Sequence, residues 1–201
     1  MERSAIYRRA LAPNMLMLGI VGIAAGVAGY FLPLNGSRRF AIYWLTISIG
    51  ALAASYLNMR REALRDGEQF WSPPTRRVTQ ALAPGLFVGA VFGFATAISP
   101  WSILLMPPSL LSGEPAWQLP PVWMLLYGAA IHAAGFFMPR GFKIFGWAYI
   151  VAGTLVLLTL SRLDSGASLR FAHLLMAIVF GGAHLAYGAY LRITERSRCE
   201  A

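Results

Sequence analysis

The sequence predicts an all-α integral membrane bundle of six transmembrane helices, with both termini on the cytoplasmic side. Of its 201 residues, 57% are hydrophobic and only 12% are charged, whereas an ordinary soluble domain has roughly 25% charged residues. The apolar residues are collected into six long runs, and the charged residues lie between or at the ends of those runs. Arginine and lysine are strongly biased to one side of the runs, as in proteins that keep basic loops in the cytoplasm.

Six stretches are long enough to cross about 30 Å of hydrocarbon at ~1.5 Å per residue. None of them carries Asp, Glu, Lys or Arg deep inside, which supports the assignment because a charge at mid-bilayer costs at least ~2.5 kcal/mol. Residues 1–201 then form a single transmembrane domain. The predicted spans are 14–33, 40–58, 79–98, 121–138, 142–160 and 169–191.

The first span follows a basic segment containing Arg3, Arg8 and Arg9, which is also how a secretory signal peptide begins. The apolar run continues from Met15 to Leu34 without a clear small-residue cleavage site. A run of about 20 residues is long enough to cross the bilayer. We therefore predict an uncleaved first helix.

The orientation follows from the basic residues. Thirteen of the 17 Lys and Arg residues lie in the N-terminal segment, the 59–78 loop, the 139–143 turn and the C-terminal tail, and four lie on the opposite side. The positive-inside rule then places both termini in the cytoplasm. Since topology accounts for the net charge of +9, nucleic-acid binding is not predicted.

The loop between the second and third spans is predicted to lie at the cytoplasmic membrane surface. Ser72 is a suitable N-cap, and Pro73 suits the first position of the third helix. Juxtamembrane arginines favour anionic lipid by ~1 kcal/mol each, so this face is either a lipid anchor or a docking surface for a cytoplasmic protein. Its residues are Arg60, Arg61, Arg65, Phe70, Trp71, Arg76 and Arg77.

Tryptophan is expected in two belts at the membrane interfaces. Trp71 and Trp147 fall at the predicted inner boundary. The residues at the predicted outer boundary are Trp44, Trp101, Trp117 and Trp123. The apolar 99–120 loop is expected to form a short interfacial helix or a lid over an outward cavity.

Glycines at steps of three and four predict smooth ridges on two helices. Lipid provides no hydrophobic drive between spans, so small residues mark places where two backbones pack closely. The contact is either within the bundle or between copies in a homo-oligomer. One ridge lies on the first span (Gly19, Gly22, Gly26, with Gly29), and the other lies on the third (Gly85, Gly89, Gly93).

A weaker pattern relates the two halves of the chain. Residues 91–95, Val-Phe-Gly-Phe-Ala, resemble residues 179–183, Val-Phe-Gly-Gly-Ala. Two repeats of three helices each would be inverted relative to one another in the membrane, as in many transporters.

Three histidines are the classical ionisable groups nearest the hydrocarbon, and such groups carry a functional hypothesis. His132 and His184 share a predicted depth, have glycines nearby and could face each other. Such a pair would be a hydrogen-bonded seam, part of a proton or solute pathway, or the two axial ligands of haem b. Tyr187 is a further intramembrane polar candidate, and His173 is expected to lie near the outer end of its span in contact with water.

Motifs of catalysis are absent from the sequence. It contains no intramembrane carboxylate pair, no HExxH, no nucleophile elbow and no phosphate loop. No catalytic residue, metal ligand or resident cofactor is predicted, and haem b is kept only as the alternative above.

Three runs carry a resemblance: residues 60–92 (RREALRDGEQFWSPPTRRVTQALAPGLFVGAVF), 123–139 (WMLLYGAAIHAAGFFMP) and 173–192 (HLLMAIVFGGAHLAYGAYLR). Across roughly 40–193, the chain resembles a group of small, uncharacterised bacterial inner-membrane proteins, often encoded beside winged-helix transcriptional regulators. The resemblance implies a multipass protein of the bacterial cytoplasmic membrane, and it brings no activity or ligand. In that group the segment around His184 recurs more than the position of His132, which weakens mechanisms that need both.

We therefore expect a non-enzymatic inner-membrane protein that contacts lipid and acts in sensing or in scaffolding a cytoplasmic partner. The alternatives are a small transporter or channel built from inverted three-helix repeats, and a haem- or quinone-linked redox protein.

Overall fold

The secondary structure is entirely helical in the part of the chain that the structure, a computed structural model, describes. The described residues are 3–65, 67, 69–98, 115–138, 140–160 and 169–199. Most of the expected interfacial helix or lid, residues 99–114, lies outside them.

Seven α-helices follow one another along the described part of the chain. They are α1 (Arg3–Phe31), α2 (Ser37–Arg65), α3 (Pro73–Ile98), α4 (Leu119–Ala134, after a 3-10 turn at Pro115–Gln118), α5 (Arg140–Leu160), α6 (Arg170–Met176) and α7 (Ala183–Cys199). A π-helical segment, Ala177–Gly182, joins α6 to α7. We call α6, this segment and α7 together the C-terminal helix.

The expectation of an all-helical chain with long apolar helices is confirmed. Five helical stretches of the described chain are long and apolar enough to cross a membrane: Leu11–Phe31, Ser37–Arg65, Pro73–Ile98, Gly141–Thr159 and Arg170–Thr194. The remaining candidate, α4, has 16 residues, which corresponds to ~24 Å.

The predicted fourth span, 121–138, ends too late. The helix ends at Ala134, and the amide of Gly135 donates to the carbonyls of Ile131 and His132 at 2.8 and 3.1 Å. A Cβ at position 135 would lie 2.6 Å from the side chain of Lys143. The chain therefore turns toward α5 at a glycine that packs tightly against the next helix.

The glycines of α1 face the C-terminal helix along its length. A Cβ on Gly22 would lie 2.8 Å from the Cα of Gly181, and one on Gly26 would lie 2.7 Å from the carbonyl oxygen of His173. Gly19 lies against Leu185. Since residue numbers rise on one helix as they fall on the other, the two helices pack antiparallel with their backbones close together.

The glycines of α3 face α4, also antiparallel. A Cβ on Gly85 would lie 2.8 Å from both the Ala130 side chain and the Leu126 carbonyl oxygen. At Gly89 the nearest atom, on Trp123, is 3.5 Å away, so this position is looser. Gly93 is wedged between the side chains of Trp123 and, on α2, Leu45.

The backbones of α4 and α5 meet in a close contact at two glycines that the sequence pattern did not predict. A Cβ on Gly146 would lie 2.6 Å from the amide nitrogen of His132 and 2.8 Å from the carbonyl oxygen of Gly128. Gly128 meets the carbonyl of Gly146 equally closely. A contact made by one glycine from each helix, eighteen residues apart in sequence, is hard to distinguish from chance.

Two of the tryptophans expected in the outer belt direct their indole N–H groups into the bundle, and one of them, Trp44, is a core residue. Trp44 is buried, and its indole N–H donates to Nδ1 of His173 at 3.1 Å. Trp123 donates to the carbonyl of Gly89 at 2.8 Å. Both indoles find their acceptors inside the bundle, so neither needs the interface. Trp71 and Trp147 are exposed, and Trp101 lies outside the described residues.

Candidate functional site: a cavity between five helices

An apolar cavity of about 260 Å³ lies between α1, α2, α3, α4 and the C-terminal helix. Its volume is just below the ~300–1,000 Å³ typical of small-molecule sites. None of the described residues that line it is charged. Such a space suits a slender, uncharged molecule.

The cavity forms because α2 touches its neighbours mainly near its two ends. Near one end the Tyr43 hydroxyl donates to the Ala25 carbonyl at 2.7 Å. Near the other, the side-chain amide of Asn58 donates to the sulfur of Met17 at 3.0 Å. Between these contacts, Ser48, Ala51, Leu52 and Ser55 line the cavity. The cavity is open at its side, because several of its lining residues on α2 and α3 are exposed, namely Ser48, Ile49, Leu52 and Ala90.

We name the two ends of the bundle by their loops. The basic end holds the α2–α3 loop around Gly67, with the arginines that flank it, and the opposite end holds the α1–α2 loop around Gly36. The Met17–Asn58 contact therefore lies toward the basic end and the Ala25–Tyr43 contact toward the opposite end.

His184 lies at the wall of the cavity and is fully hydrogen-bonded. Its Nδ1 lies within hydrogen-bond distance of the Phe180 carbonyl and of the Tyr149 hydroxyl, the latter at 3.1 Å. Its Nε2 lies 2.7 Å from the Tyr127 hydroxyl. Because a carbonyl only accepts, Nδ1 carries the proton, and Nε2 accepts from Tyr127.

The π-helical segment supplies part of this network. The carbonyls of Val179 and Phe180 belong to that segment, and they accept from the Tyr149 hydroxyl, at 2.9 Å, and from His184. Single π turns inside α-helices are frequent at functional sites. The network joins α4, α5 and the C-terminal helix around one neutral imidazole.

His132 does not take part in this network. Its ring lies edge-on to Phe136 and Trp147, with centroids 5.5 Å away in both cases, and its Nδ1 has no hydrogen-bond partner among the residues that the structure describes. Tyr127 and His132 are five residues apart on α4, so they point to different faces. The hypothesis that His132 and His184 face each other is therefore wrong, because tyrosines occupy the positions around His184.

The hydrogen bonds of His184 disfavour the alternative that it binds haem. An axial ligand needs a free ring nitrogen, and both nitrogens of His184 are engaged by Tyr127, Tyr149 and the Phe180 carbonyl. Binding haem through His184 would require these bonds to break, with His132 supplying no second ligand from the same space.

His173 was expected to contact water, and this expectation is wrong. Its residue is 1% exposed, and its ring packs against Phe40, Tyr43 and Trp44. Neighbouring aromatic side chains can cover a residue near the end of a span. The position of a histidine along its helix does not reveal such cover. Gly29 leaves room for this ring on α1.

Tyr187, the remaining polar candidate, lies in a core toward the basic end rather than in the cavity. It is buried and stacks on Phe145, with centroids 4.6 Å apart and planes 12° from parallel. The same core includes Met15, Met124 and Ile131. Tyr187 thus helps to fix α5 against the C-terminal helix.

The arginine-rich face is exposed, as a surface for lipid or a partner requires. Phe70 packs edge-on against Tyr56, with centroids 5.0 Å apart, so the loop folds back onto α2. α3 begins at Pro73, as predicted, and the Ser72 carbonyl accepts from the amide of Arg76 at 3.0 Å. The exposed side chains of this face are Arg60, Arg61, Arg65, Trp71, Arg76 and Arg77.

Comparisons of the chain with protein-family models, with curated proteins and with solved structures each found no match.

Sequence reasoning missed several residues of the site, chiefly Tyr127, Tyr149 and Ser55. Tyrosine and serine are common in apolar helices, so neither type stands out as a charged group does. One signal was present: Tyr149 and His184 are each flanked, within four residues, by glycines of a close helix contact, Gly146 and Gly181.

Proposed function

We propose that this chain is a non-enzymatic, six-span protein of the bacterial cytoplasmic membrane that takes an apolar molecule from the bilayer into the cavity between its helices. Both termini and the arginine-rich face lie in the cytoplasm, by the basic bias of the loops. In this proposal the bound molecule sets the position of α2, and α2 continues directly into that face. The protein thereby senses a lipophilic molecule and presents the result to a cytoplasmic partner.

The observation that supports this proposal is the cavity itself. It is open at the side and bounded by residues from five helices, among them Leu18, Leu52 and Leu86. Apolar pockets with a few polar groups are the usual form of a small-molecule site. An opening at membrane depth admits molecules dissolved in the bilayer.

In this proposal α4 crosses the membrane in addition to the five longer helical stretches, although its 16 residues extend only ~24 Å. The 3-10 turn Pro115–Gln118 precedes it and the turn 135–138 follows it. The flanking segments add length at both ends of α4. Local thinning of the bilayer and side chains that reach the interface accommodate short spans of this kind.

Photolabelling tests this proposal. The protein in lipid nanodiscs is irradiated with a long-chain lipid that carries a diazirine at mid-chain. Ala51→Leu fills the cavity, whereas Ala53→Leu adds the same group to an exposed part of α2 that does not line it. We expect labelling to fall severalfold in Ala51→Leu and to be unchanged in Ala53→Leu. Equal labelling of both variants would show that the probe does not enter the cavity.

A second candidate is a small transporter built from inverted three-helix repeats. Gly93 and Gly181 hold matching places in the repeated Val-Phe-Gly, and they contact Trp123 and Gly22 respectively. Gly85 lies eight residues before Gly93 and contacts Leu126 and Ala130. His173 lies eight residues before Gly181 and contacts Gly26 and Gly29. The α3–α4 and C-terminal helix–α1 contacts thus advance by similar steps, which favours a pseudo-twofold relation of the two halves.

The transporter candidate makes a separate prediction. In proteoliposomes, a fluorescent lipophilic probe should exchange between the two leaflets faster with the protein than with the Ala51→Leu variant. A sensor binds the probe without accelerating this exchange, so exchange at the rate of empty liposomes would rule out transport of that probe.

A further inference from the structure

The hydroxyl of Ser55 lacks a hydrogen bond although it is buried. Its Oγ has no partner among the described residues, and Ser55 lines the cavity. Other helix hydroxyls return to the carbonyl four residues earlier, as Thr46, Thr96 and Thr154 do at 2.8–3.0 Å. A buried hydroxyl without a partner is unfavourable, and rotation of χ1 between its staggered positions can turn it into the cavity.

Ser55 lies toward the basic end of the cavity, level with the histidine network. Asn58, one turn further along α2, bonds to Met17, and the next residue, Leu18, lines the cavity. Gly19 then packs against Leu185, the neighbour of His184. Ser55, Tyr127 and His184 thus share this end of the cavity, while Trp44 and Met176 bound the other.

The indole and phenol groups of the wall are already engaged, and the other lining hydroxyl, that of Ser48, belongs to an exposed residue. The indole N–H groups of Trp44 and Trp123 donate to His173 and to the Gly89 carbonyl. The Tyr127 proton is directed to His184, which leaves only its oxygen as an acceptor. Ser55 can both donate and accept.

The composition of the cavity wall also disfavours ligands with a charged group. Where the structure describes the chain, no Asp, Glu, Lys or Arg lines the cavity, and a charged headgroup without a partner is strongly disfavoured in an apolar space. A single uncharged polar group suits a wall in which, among the described residues, one buried hydroxyl lacks a hydrogen bond.

We infer that the cavity selects a long-chain molecule that ends in one uncharged hydrogen-bonding group, an alcohol or a carbonyl, and that this group binds Ser55 while the chain extends toward Trp44. This inference rests on the proposed function and adds the chemical class of the ligand and the residue that recognises it.

The test uses four photoreactive probes with the same chain length and the same mid-chain diazirine. One ends in an alcohol, one in a methyl ketone, one in a methyl group and one in a carboxylate. The full-length protein in nanodiscs is labelled, and the labelled fraction is read from the intact mass. The variants are Ser55→Ala, which keeps the cavity shape, and Ser48→Ala, a lining serine about 10 Å away along α2.

We expect the wild-type protein to be labelled about two- to tenfold more by the alcohol or the ketone than by the methyl-ended probe, the range that one net hydrogen bond provides. Which of the two is preferred identifies the ligand as an alcohol or a carbonyl compound. The preference should disappear in Ser55→Ala and persist in Ser48→Ala, and the carboxylate should label least. Because Ser55→Ala removes an unpaired hydroxyl, its unfolding temperature without ligand should equal or exceed that of the wild type.

Two outcomes would overturn the inference. One is equal labelling of the wild type by the alcohol, ketone and methyl-ended probes, and the other is a preference that survives in Ser55→Ala. In both cases the proposed function still stands if Ala51→Leu reduces labelling by the methyl-ended probe. It fails together with the inference if Ala51→Leu changes labelling by none of the four.

Discussion

The Tyr127 hydroxyl donates to Nε2 of His184 across 2.7 Å and thereby ties α4 to the C-terminal helix at the wall of the cavity. The same imidazole is held from its other side by Tyr149 and the Phe180 carbonyl. A histidine that was a candidate ligand is thus the centre of a satisfied network, and the buried hydroxyl of the cavity wall that lacks a hydrogen bond among the described residues is that of Ser55.

Removing the Tyr127 hydroxyl should destabilise the bundle. Tyr127→Phe leaves Nε2 of His184 without a donor, at an expected cost of about 0.6–1.7 kcal/mol, the range for hydrogen bonds between membrane helices. Tyr149→Phe should cost more, because this hydroxyl bonds both His184 and the Val179 carbonyl. Thermal unfolding in detergent measures both. Tyr190→Phe, at an exposed tyrosine, is the control, and an equal effect of all three changes would contradict a special role for the network.

Purified protein should be colourless. Both ring nitrogens of His184 are engaged, and His132 points to another face of α4. Absorbance spectroscopy after purification in mild detergent should therefore show no Soret band, and His184→Ala should lower stability without loss of a bound chromophore. A Soret band that disappears in His184→Ala would contradict the assigned hydrogen bonds.

Glycine positions on α3 should differ in their tolerance of a methyl group. Gly85→Ala places a Cβ 2.8 Å from Ala130 and from the Leu126 carbonyl, so we expect overpacking to cost about 1–3 kcal/mol. Gly89→Ala meets its nearest neighbour at 3.5 Å and should be tolerated, whereas Gly89→Leu should destabilise by displacing Trp123.

The control for the glycine series is Gly50→Ala. A Cβ at this position has no atom within 4 Å, so alanine should stabilise α2 by up to ~1 kcal/mol through its better helix propensity. Thermal unfolding of the four variants gives the ranking. If Gly85→Ala were as stable as Gly50→Ala, α3 and α4 would not be packed as described.

Topology can be tested with single cysteines in a Cys199→Ala background. The proposed orientation places Asn35 outside the cell and Gln69 in the cytoplasm, and both are exposed in loops. A membrane-impermeant maleimide should label Asn35→Cys in intact spheroplasts and Gln69→Cys only after lysis. The reverse pattern would overturn the orientation inferred from the basic residues.

The helices were predictable because each depends on a local property. The length of an apolar run, the Ser72–Pro73 helix start and the exclusion of charges are all visible along the chain, and α3 begins at Pro73 as expected. The end of α4 at Ala134 was missed because hydropathy continues through Phe136 and Phe137, whereas the turn depends on the packing of Gly135 against α5.

The site was less predictable because it depends on which helices are neighbours. The position of a histidine along a helix predicts its depth in the membrane but not the neighbour that its side chain faces. His132 and His184 could therefore be placed at one depth, but the sequence did not reveal that Tyr127 lies between α4 and the C-terminal helix. The cavity arises from contacts at the two ends of α2, through Tyr43 and Asn58, and no local pattern reports such a gap.

The most direct test of the central claim is native mass spectrometry of the protein released from mild detergent. We expect the wild type and Ala53→Leu each to retain one apolar molecule per chain and Ala51→Leu, in which the leucine fills the cavity, to retain none. Identical bound species in all three proteins, or no bound molecule in the wild type after reconstitution with the alcohol-ended probe, would contradict the claim that this cavity is a binding site.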